Sequence, residues 1–308
     1  MNLQKRFVHS VRLYFKEQGE VWLQKLPTII KFCEEKWSLK MEEPYSLSVN
    51  YVAPAVMADG REVVVKICIP GKEFLQEKEA LRLLGQNKIV KLLDSDEDNG
   101  ILILEKLSPG KSLADINDEE KACEIAAEVI SNLVIPSESA NFPTTCTREE
   151  SLRQIVIKNP DGLGPIPVQV LEQALNVFVY LNHTKEHELL LHGDLHHDNI
   201  ISSGDRKWTA IDPKGLIGEI EYDFIQFMLN QLPETGAFSI IKRRVDIFTE
   251  KLNLNKERLL LWGYCHSVLA TSWSVDDDGN CKHSFFQGIE IFEKLYETEF
   301  GKIKSLHR

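Results

Sequence analysis

Three short polar side chains, Asp194, Asn199 and Asp212, stand at spacings that suit chemistry on a phosphate. The first two lie in Leu189-Leu-Leu-His-Gly-Asp-Leu-His-His-Asp-Asn-Ile-Ile-Ser, the third in Trp208-Thr-Ala-Ile-Asp-Pro-Lys-Gly. The stretch reads as an apolar strand ending at His192, a polar loop over 193–198 and a second strand from Asn199. Ser203-Gly204-Asp205 predicts a tight turn, after which Lys207–Ile211 returns antiparallel. Such a hairpin brings Asn199 and Asp212 to one end, beside the loop that carries Asp194. One carboxylate there orients an attacking hydroxyl and accepts its proton. The other carboxylate and the amide oxygen hold Mg²⁺ on the phosphates of a nucleotide.

His192, Asp194 and Asn199 meet the H-x-D-x-x-x-x-N spacing of kinase catalytic loops, and Asp212 takes the place of the metal-binding Asp that follows. A second requirement lies upstream. Phosphoryl transfer of this type needs a Lys on a strand, held by a Glu on the next helix. Lys66 sits inside an apolar run where an unpaired charge is costly, and Glu77 and Glu79 follow on a helix. These two are about 200° apart on the helix wheel, so only one faces the strand. Glu77, on the face of Ala80, Leu81 and Leu84, is the expected partner. The competing reading makes Lys66 an edge-strand residue with its ammonium in water. Glu105 and Leu107, just after the strand Ile101–Leu104, fall where a hinge backbone meets an adenine.

Other chemistries fit less well. His192, His196 and His197 with Asp194 and Asp198 offer zinc-type ligands. However, His192 and His196 would share a face only on a helix, and Gly193 argues for a loop. His192 is expected to bond backbone around that loop. No G-x-S-x-G elbow and no Walker A loop is present, and residues 45–62 lack a glycine-rich phosphate cover.

The surrounding elements alternate in period. Helical spacing covers 3–15 and 20–37; Tyr45–Val52 alternates as a strand; Asp59-Gly60 marks a turn; and Val63–Ile69 is a β-branched strand. A helix over 73–84 closes at Gly85, and short strands follow at Val90–Asp94 and Gly100–Leu104. Beyond Pro109-Gly110 helices dominate, at roughly 118–135, 149–158, 166–183, 221–232, 237–253, 255–273 and 283–300, broken by a β-interlude near 190–212. Residues 136–148 and 159–167 read as loops. A small antiparallel sheet followed by a mainly helical part is an α+β arrangement.

The chain has 308 residues, a length suited to two lobes. Its 47 acids against 36 bases give a net charge of −11, which repels nucleic acid and favours a cationic small molecule. The six scattered cysteines form no C-x-x-C pair and read as reduced. Neither a secretory h-region nor a membrane-length apolar stretch is present, so the expected location is cytoplasmic, without membrane partners.

His192-Gly-Asp-Leu-His-His-Asp-Asn199 with Ile211-Asp-Pro-Lys-Gly215 resembles the aminoglycoside/hydroxyurea resistance kinases, a family that includes streptomycin 6-phosphotransferases. Gly19–Pro27 with Trp37, Asn50–Pro54, Val64–Lys66, Glu79–Arg82, Leu104-Glu105, Ser108–Gly110, Leu260–Trp262 and Ser272–Ser274 extend the likeness over nearly the whole chain. The resemblance implies a protein-kinase-like bilobal fold with ATP between an N-lobe (1–106) and a C-lobe (107–308). Asp194 would be the catalytic base, Asn199 and Asp212 the Mg²⁺ ligands, and Lys66 with Glu77 the phosphate clamp. Gly193 replaces the Arg with which protein kinases read a phosphorylated activation loop, so such control is not expected.

A cationic acceptor calls for carboxylates. Trp273 with Asp276-Asp277-Asp278, and also Glu219 or Glu221, are the candidates, against the alternative that the acidic run is a solvated turn. Asp223 is expected to begin a helix, as its cap or first-turn acid. The resulting expectation is an ATP- and Mg²⁺-dependent kinase of a small-molecule hydroxyl, of the streptomycin type or hydroxyurea. An endogenous sugar or amine metabolite as substrate, a nucleotide-binding pseudoenzyme and a zinc hydrolase are the competing readings. Oligomeric state is open.

Overall fold

Helix α1 (Lys5–Trp37) is one run broken at Lys16, where φ 49° and ψ −126° leave the helical region. The break falls between the two helices expected from the spacing of apolar residues. Ser38, in the left-handed conformation, stops the helix. The structure, a computed structural model, describes residues 3–85, 89–137, 141–204 and 207–303. Asp205 of the expected hairpin turn lies outside them.

Strands β1 (Leu39–Met41), β2 (Tyr51–Met57), β3 (Glu62–Ile67), β4 (Leu92–Asp96) and β5 (Ile101–Glu105) form an antiparallel sheet of order β1-β2-β3-β5-β4. Alternate residues of a strand share a face. Val63, Val65 and Ile67 of β3, with Ile101 and Ile103 of β5, therefore pack in one core cluster with Trp22, Leu26 and Cys33 of α1. Val64 and Lys66 face the other side. Helix α2 (Lys72–Leu84) follows β3 and ends at Gly85, which is right-handed (φ −64°).

The strand expected from Tyr45 begins only at Tyr51. The Gln4 side chain explains the delay: its Nε2 donates to Tyr45 O at 2.7 Å and its Oε1 accepts from Leu47 N at 3.0 Å. The backbone around buried Leu47 is thus held in a loop, and the unforeseen β1 takes the outer place in the sheet. Strand β6 (Pro109–Ser112) joins two later strands, β9 (Ile200–Ser203) and β10 (Trp208–Ala210), in the order β10-β9-β6. Residues Met1–Lys111 and Ser202–Lys214 form one unit of the chain; Ser112–Ile201 and Gly215–Arg308 form the other.

The second unit is built on helices α3 (Glu119–Ser131), α4 (Thr145–Lys158), α5 (Val168–His183), α8 (Ala237–Leu252), α9 (Lys256–Ser274) and α10 (His283–Phe300). Helix α9 is buried on every side from Leu259 to Ser272, as a helix apolar all round must be, with α5 and α10 packed against it. Strands β7 (Ile135–Pro136), β8 (Leu189–Leu191) and β11 (Leu216–Gly218) make a small sheet of order β11-β8-β7, with Leu216 opposite Leu191. The β-interlude therefore runs past residue 212. Helices α6 (Ile220–Asp223) and α7 (Ile225–Leu229) follow it. No described helix is long and apolar enough to cross a membrane.

Candidate active site

Lys66 lies in the third strand of five, paired with Val52 on one side and Leu102 on the other. This central place removes the edge-strand alternative, since the side chain is only 1% exposed. Its Nζ donates to Glu77 Oε1 at 2.6 Å and stands 3.1 Å from Asp212 Oδ1. Burial pushes the ammonium toward neutrality, but the carboxylates of Asp212 and Glu77 outweigh it and raise its pKa above the usual lysine range. Glu77 is itself buried, which raises its carboxyl, with Lys66 opposing that shift. Glu79 points elsewhere and takes Arg82 in a two-pronged pair at 2.8 and 2.6 Å.

Asp212 adopts φ 58°, a left-handed conformation that Asp and Asn tolerate better than other side chains. A cleft of about 260 Å³ lies beside Glu77, lined also by Asn50, Cys68, Lys72 and Lys214. Phe15 and Gln18, on either side of the break at Lys16, line the same cleft. Glu105, the last residue of β5, accepts the Lys91 amide at Oε1 (2.9 Å), while its own N–H donates to Lys91 O. Leu107, two residues beyond, is half-buried.

Asp194 and Asn199 belong to the second unit, on a loop fixed from several directions. Asn199 Nδ2 donates to Asp194 O at 2.9 Å, closing the loop upon itself. The Asp194 amide donates to Nδ1 of fully buried His192 (3.3 Å), and Gly215 N donates to His192 O (3.0 Å). His192 thus bonds backbone around the loop. Gly193 has φ 82°, and a Cβ built there would stand 3.1 Å from Leu216 Cβ and 3.3 Å from Gly215 C. Both conformation and space therefore favour glycine.

Asp223 is a first-turn acid, as expected, in the short helix α6, but its side chain is buried and caps nothing. Instead its Oδ1 accepts from Gly193 N at 2.7 Å and its Oδ2 from His192 N at 3.0 Å. Burial raises its carboxyl to about 6, against the opposing effect of those two N–H groups, with Asp194 adding to the rise. The signal available in the sequence was an acid in the apolar run Tyr222-Asp-Phe-Ile, the same argument that singles out Lys66.

His197 is buried too, and its ring stacks on Phe227 with centroids 3.8 Å apart and planes 17° apart. Burial, reinforced by nearby Arg244, lowers its pKa to about 3. His196 Nδ1 instead faces the Asp198 amide at 3.3 Å. Among the described residues no group of three or more His, Cys, Asp or Glu is arranged to hold a metal ion.

The carboxylates considered for a cationic acceptor are partly engaged within the protein. Asp276 Oδ1 accepts the amides of Asp278 (3.0 Å) and Asn280 (2.8 Å), shaping the turn that ends at Gly279. Asp277 is exposed. Trp273, 46% exposed, donates Nε1 to Ser151 Oγ at 3.1 Å and carries the Arg148 guanidinium 5.2 Å from its ring centroid. Glu219 binds Arg258 and the Trp262 indole (2.5 and 2.9 Å), and Glu221 accepts the Asn255 amide (3.1 Å).

The sequence pattern of the aminoglycoside/hydroxyurea antibiotic resistance kinase family matches residues 39–279. A streptomycin 6-kinase of Streptomyces griseus is 27% identical over 284 residues, covering 85% of this chain and 87% of that protein. A hydroxyurea phosphotransferase of Kitasatospora aureofaciens is 28% identical over 280 residues, 84% of this chain and 76% of that one. Among solved structures, aminoglycoside phosphotransferase APH(4)-Ia aligns with a TM-score of 0.62 at 15% identity, over 89% of this chain and all of that one. Choline kinase LicA from Streptococcus pneumoniae aligns at 0.58 and 16% identity, over 88% and 99%. These likenesses show the protein-kinase-like fold expected from the sequence.

Proposed function

Because the chain belongs to the aminoglycoside/hydroxyurea antibiotic resistance kinase family, we propose that it transfers the terminal phosphoryl group of ATP, with Mg²⁺, to a hydroxyl of streptomycin-type aminoglycosides or of hydroxyurea. It is a phosphotransferase; the nucleotide, the metal and the acceptor are the proposed part. The observation that carries the reading is the buried Lys66, paired with Glu77 and facing Asp212. Keeping an ammonium charged inside a sheet requires such partners, and a phosphate group is the ligand that a cation held so rigidly suits.

Each residue then has a role. Lys66 binds the α- and β-phosphates and Glu77 fixes its direction. The Glu105–Leu107 backbone receives the adenine. Asp194 orients the acceptor hydroxyl and takes its proton, on a loop that Asp223 braces. Asp212 and Asn199 fit Mg²⁺, because carboxylate and amide oxygens are hard donors and the Asn199 amide nitrogen is already committed to Asp194 O. When bound, the metal neutralises charge that develops on the phosphates. In this reading residues 1–106 form the nucleotide lobe and 107–308 the acceptor lobe, where Trp273, Asp276 and Asp277 meet the cationic acceptor. A complex of APH(4)-Ia with ADP and hygromycin B, on the same fold, agrees with a nucleotide and an aminoglycoside as the two ligands.

The test is acceptor-dependent ADP release from MgATP across streptomycin, other aminoglycosides, hydroxyurea and simple sugars. Turnover with streptomycin or hydroxyurea supports the assignment. Turnover with a sugar alone would replace the acceptor, and none with any acceptor would overturn the reading.

A further inference from the structure

Arg244 of α8 has no exposed surface, so every donor of its guanidinium must be satisfied inside the protein. Nε and Nη2 reach the Glu119 carboxylate of α3 at 2.6 and 3.2 Å. Nη1 reaches the carbonyls of Phe227, Met228 and Asn230 at 2.8, 3.0 and 2.7 Å, gathering the chain end of α7 around one nitrogen. The guanidinium also lies 5.3 Å from the Phe227 ring centroid, and Phe248 meets that ring edge-on at 5.4 Å. Phe227 is thus fixed by its backbone and by its ring. Its free face takes His197, two residues before Asn199 and three after Asp194.

Nothing in the phosphoryl-transfer chemistry uses this assembly. His197 Nδ1 and Asn230 Oδ1 reach no hydrogen-bond geometry among the described residues, although the Asn230 side chain is close enough to oppose the fall in the His197 pKa. The His197 backbone is tied separately: its carbonyl accepts from the Ser112 hydroxyl at 3.3 Å and from the Ile200 amide. We infer that the Phe227–His197 stack, locked by Arg244 and Glu119, positions the loop that carries Asp194 and Asn199. His197 is a positioning residue that acts as a flat plate, without a chemical step of its own. This rests on the reading of Asp194 and Asn199 given above for its catalytic consequence, but the mechanical claim stands apart from it.

Arg244→Met would strand Glu119 and three carbonyls, and part of the unit is expected to unfold. The test therefore turns on His197→Ala and His197→Phe in the full chain. Hydrogen exchange of amides 193–199 is read beside kcat, KM for the nucleotide and the thermal midpoint. In His197→Ala, loop exchange accelerates about tenfold or more at an unchanged midpoint. Its kcat falls about tenfold while KM stays within about twofold, because displaced catalytic groups cost turnover more than binding. His197→Phe restores both, since a ring still covers Phe227. Arg244→Lys, which keeps the charge and loses the fork, loosens the same loop.

Wild-type exchange or kcat in His197→Ala overturns the proposal, as does His197→Phe behaving like His197→Ala. An unchanged loop in Arg244→Lys removes Arg244 from it. Wild-type protein inactive on every acceptor refutes the preceding assignment, and exchange alone then decides this one.

Discussion

The Gly193 amide donates to Asp223 Oδ1 at 2.7 Å, across thirty residues of sequence. The second oxygen of Asp223 takes the His192 amide, so one buried carboxylate holds two successive N–H groups of the turn that leads into Asp194. An ionised carboxylate accepts both; an amide in its place offers one oxygen and turns a competing donor toward the other N–H.

Asp223 gives a pH signature. Burial raises its carboxyl to about 6, from an unfolded value near 4. Between those values the native state holds a proton that the unfolded chain has lost. The associated stability is complete below about pH 4 and disappears as pH rises through 6. Across that window, denaturant titrations should show wild type losing up to about 3 kcal/mol relative to Asp223→Asn. Turnover of the variant at pH 7.5 should fall about tenfold or more, because the turn loses an acceptor. Parallel pH profiles of the two proteins would contradict the account.

The Lys66–Glu77 pair should behave non-additively. Lys66→Met leaves a carboxylate buried without its cation and should cost about 3–5 kcal/mol in urea unfolding. Adding Glu77→Leu should recover most of that loss, since an apolar pair fills the site without stranding a charge. Additive losses in the double variant would argue that the two side chains are not coupled.

Gly193 and Gly204 separate backbone strain from crowding. Both have positive φ, 82° and 104°, but a Cβ on Gly204 meets nothing within 4 Å, whereas on Gly193 it meets Leu216 and Gly215. The conformation alone costs about 1–2 kcal/mol for alanine. Gly193→Ala should therefore lower the thermal midpoint by more than Gly204→Ala. Equal shifts would mean that the Leu216 contact gives way freely.

Asp212→Asn tests the metal assignment with the backbone spared, because Asn also tolerates the left-handed conformation found there. The variant should fold, with a thermal midpoint lowered by loss of the carboxylate charge that faces buried Lys66. Calorimetry should show MgATP affinity reduced about tenfold or more, through loss of a charged oxygen ligand. Unchanged MgATP affinity would remove Asp212 from the metal site.

The cost of an isolated charge among apolar residues made Lys66 legible in the sequence, and helix phase separated Glu77 from Glu79. The same cost applied to Asp223, but a helix cap offered a local alternative. Only the register that brings residues 192–193 beside α6 shows where its oxygens go. Tyr45–Val52 misled because alternation in a short run does not reveal that Gln4, forty residues earlier, bonds its backbone. Strands of three residues such as β1 and β11 carry too few side chains for a period to register. The Arg244–Phe227–His197 assembly joins three distant segments, and no pattern within any one of them points to the other two, so its meaning arises only from packing.

Asp194 is the residue on which the proposed phosphoryl transfer depends. Asp194→Asn, measured by MgATP calorimetry and by single-turnover phosphoryl transfer to the best acceptor, should bind nucleotide as wild type does. Its transfer rate should fall at least about a hundredfold, as loss of a positioned proton acceptor requires. Transfer at the wild-type rate in that variant would contradict the assignment.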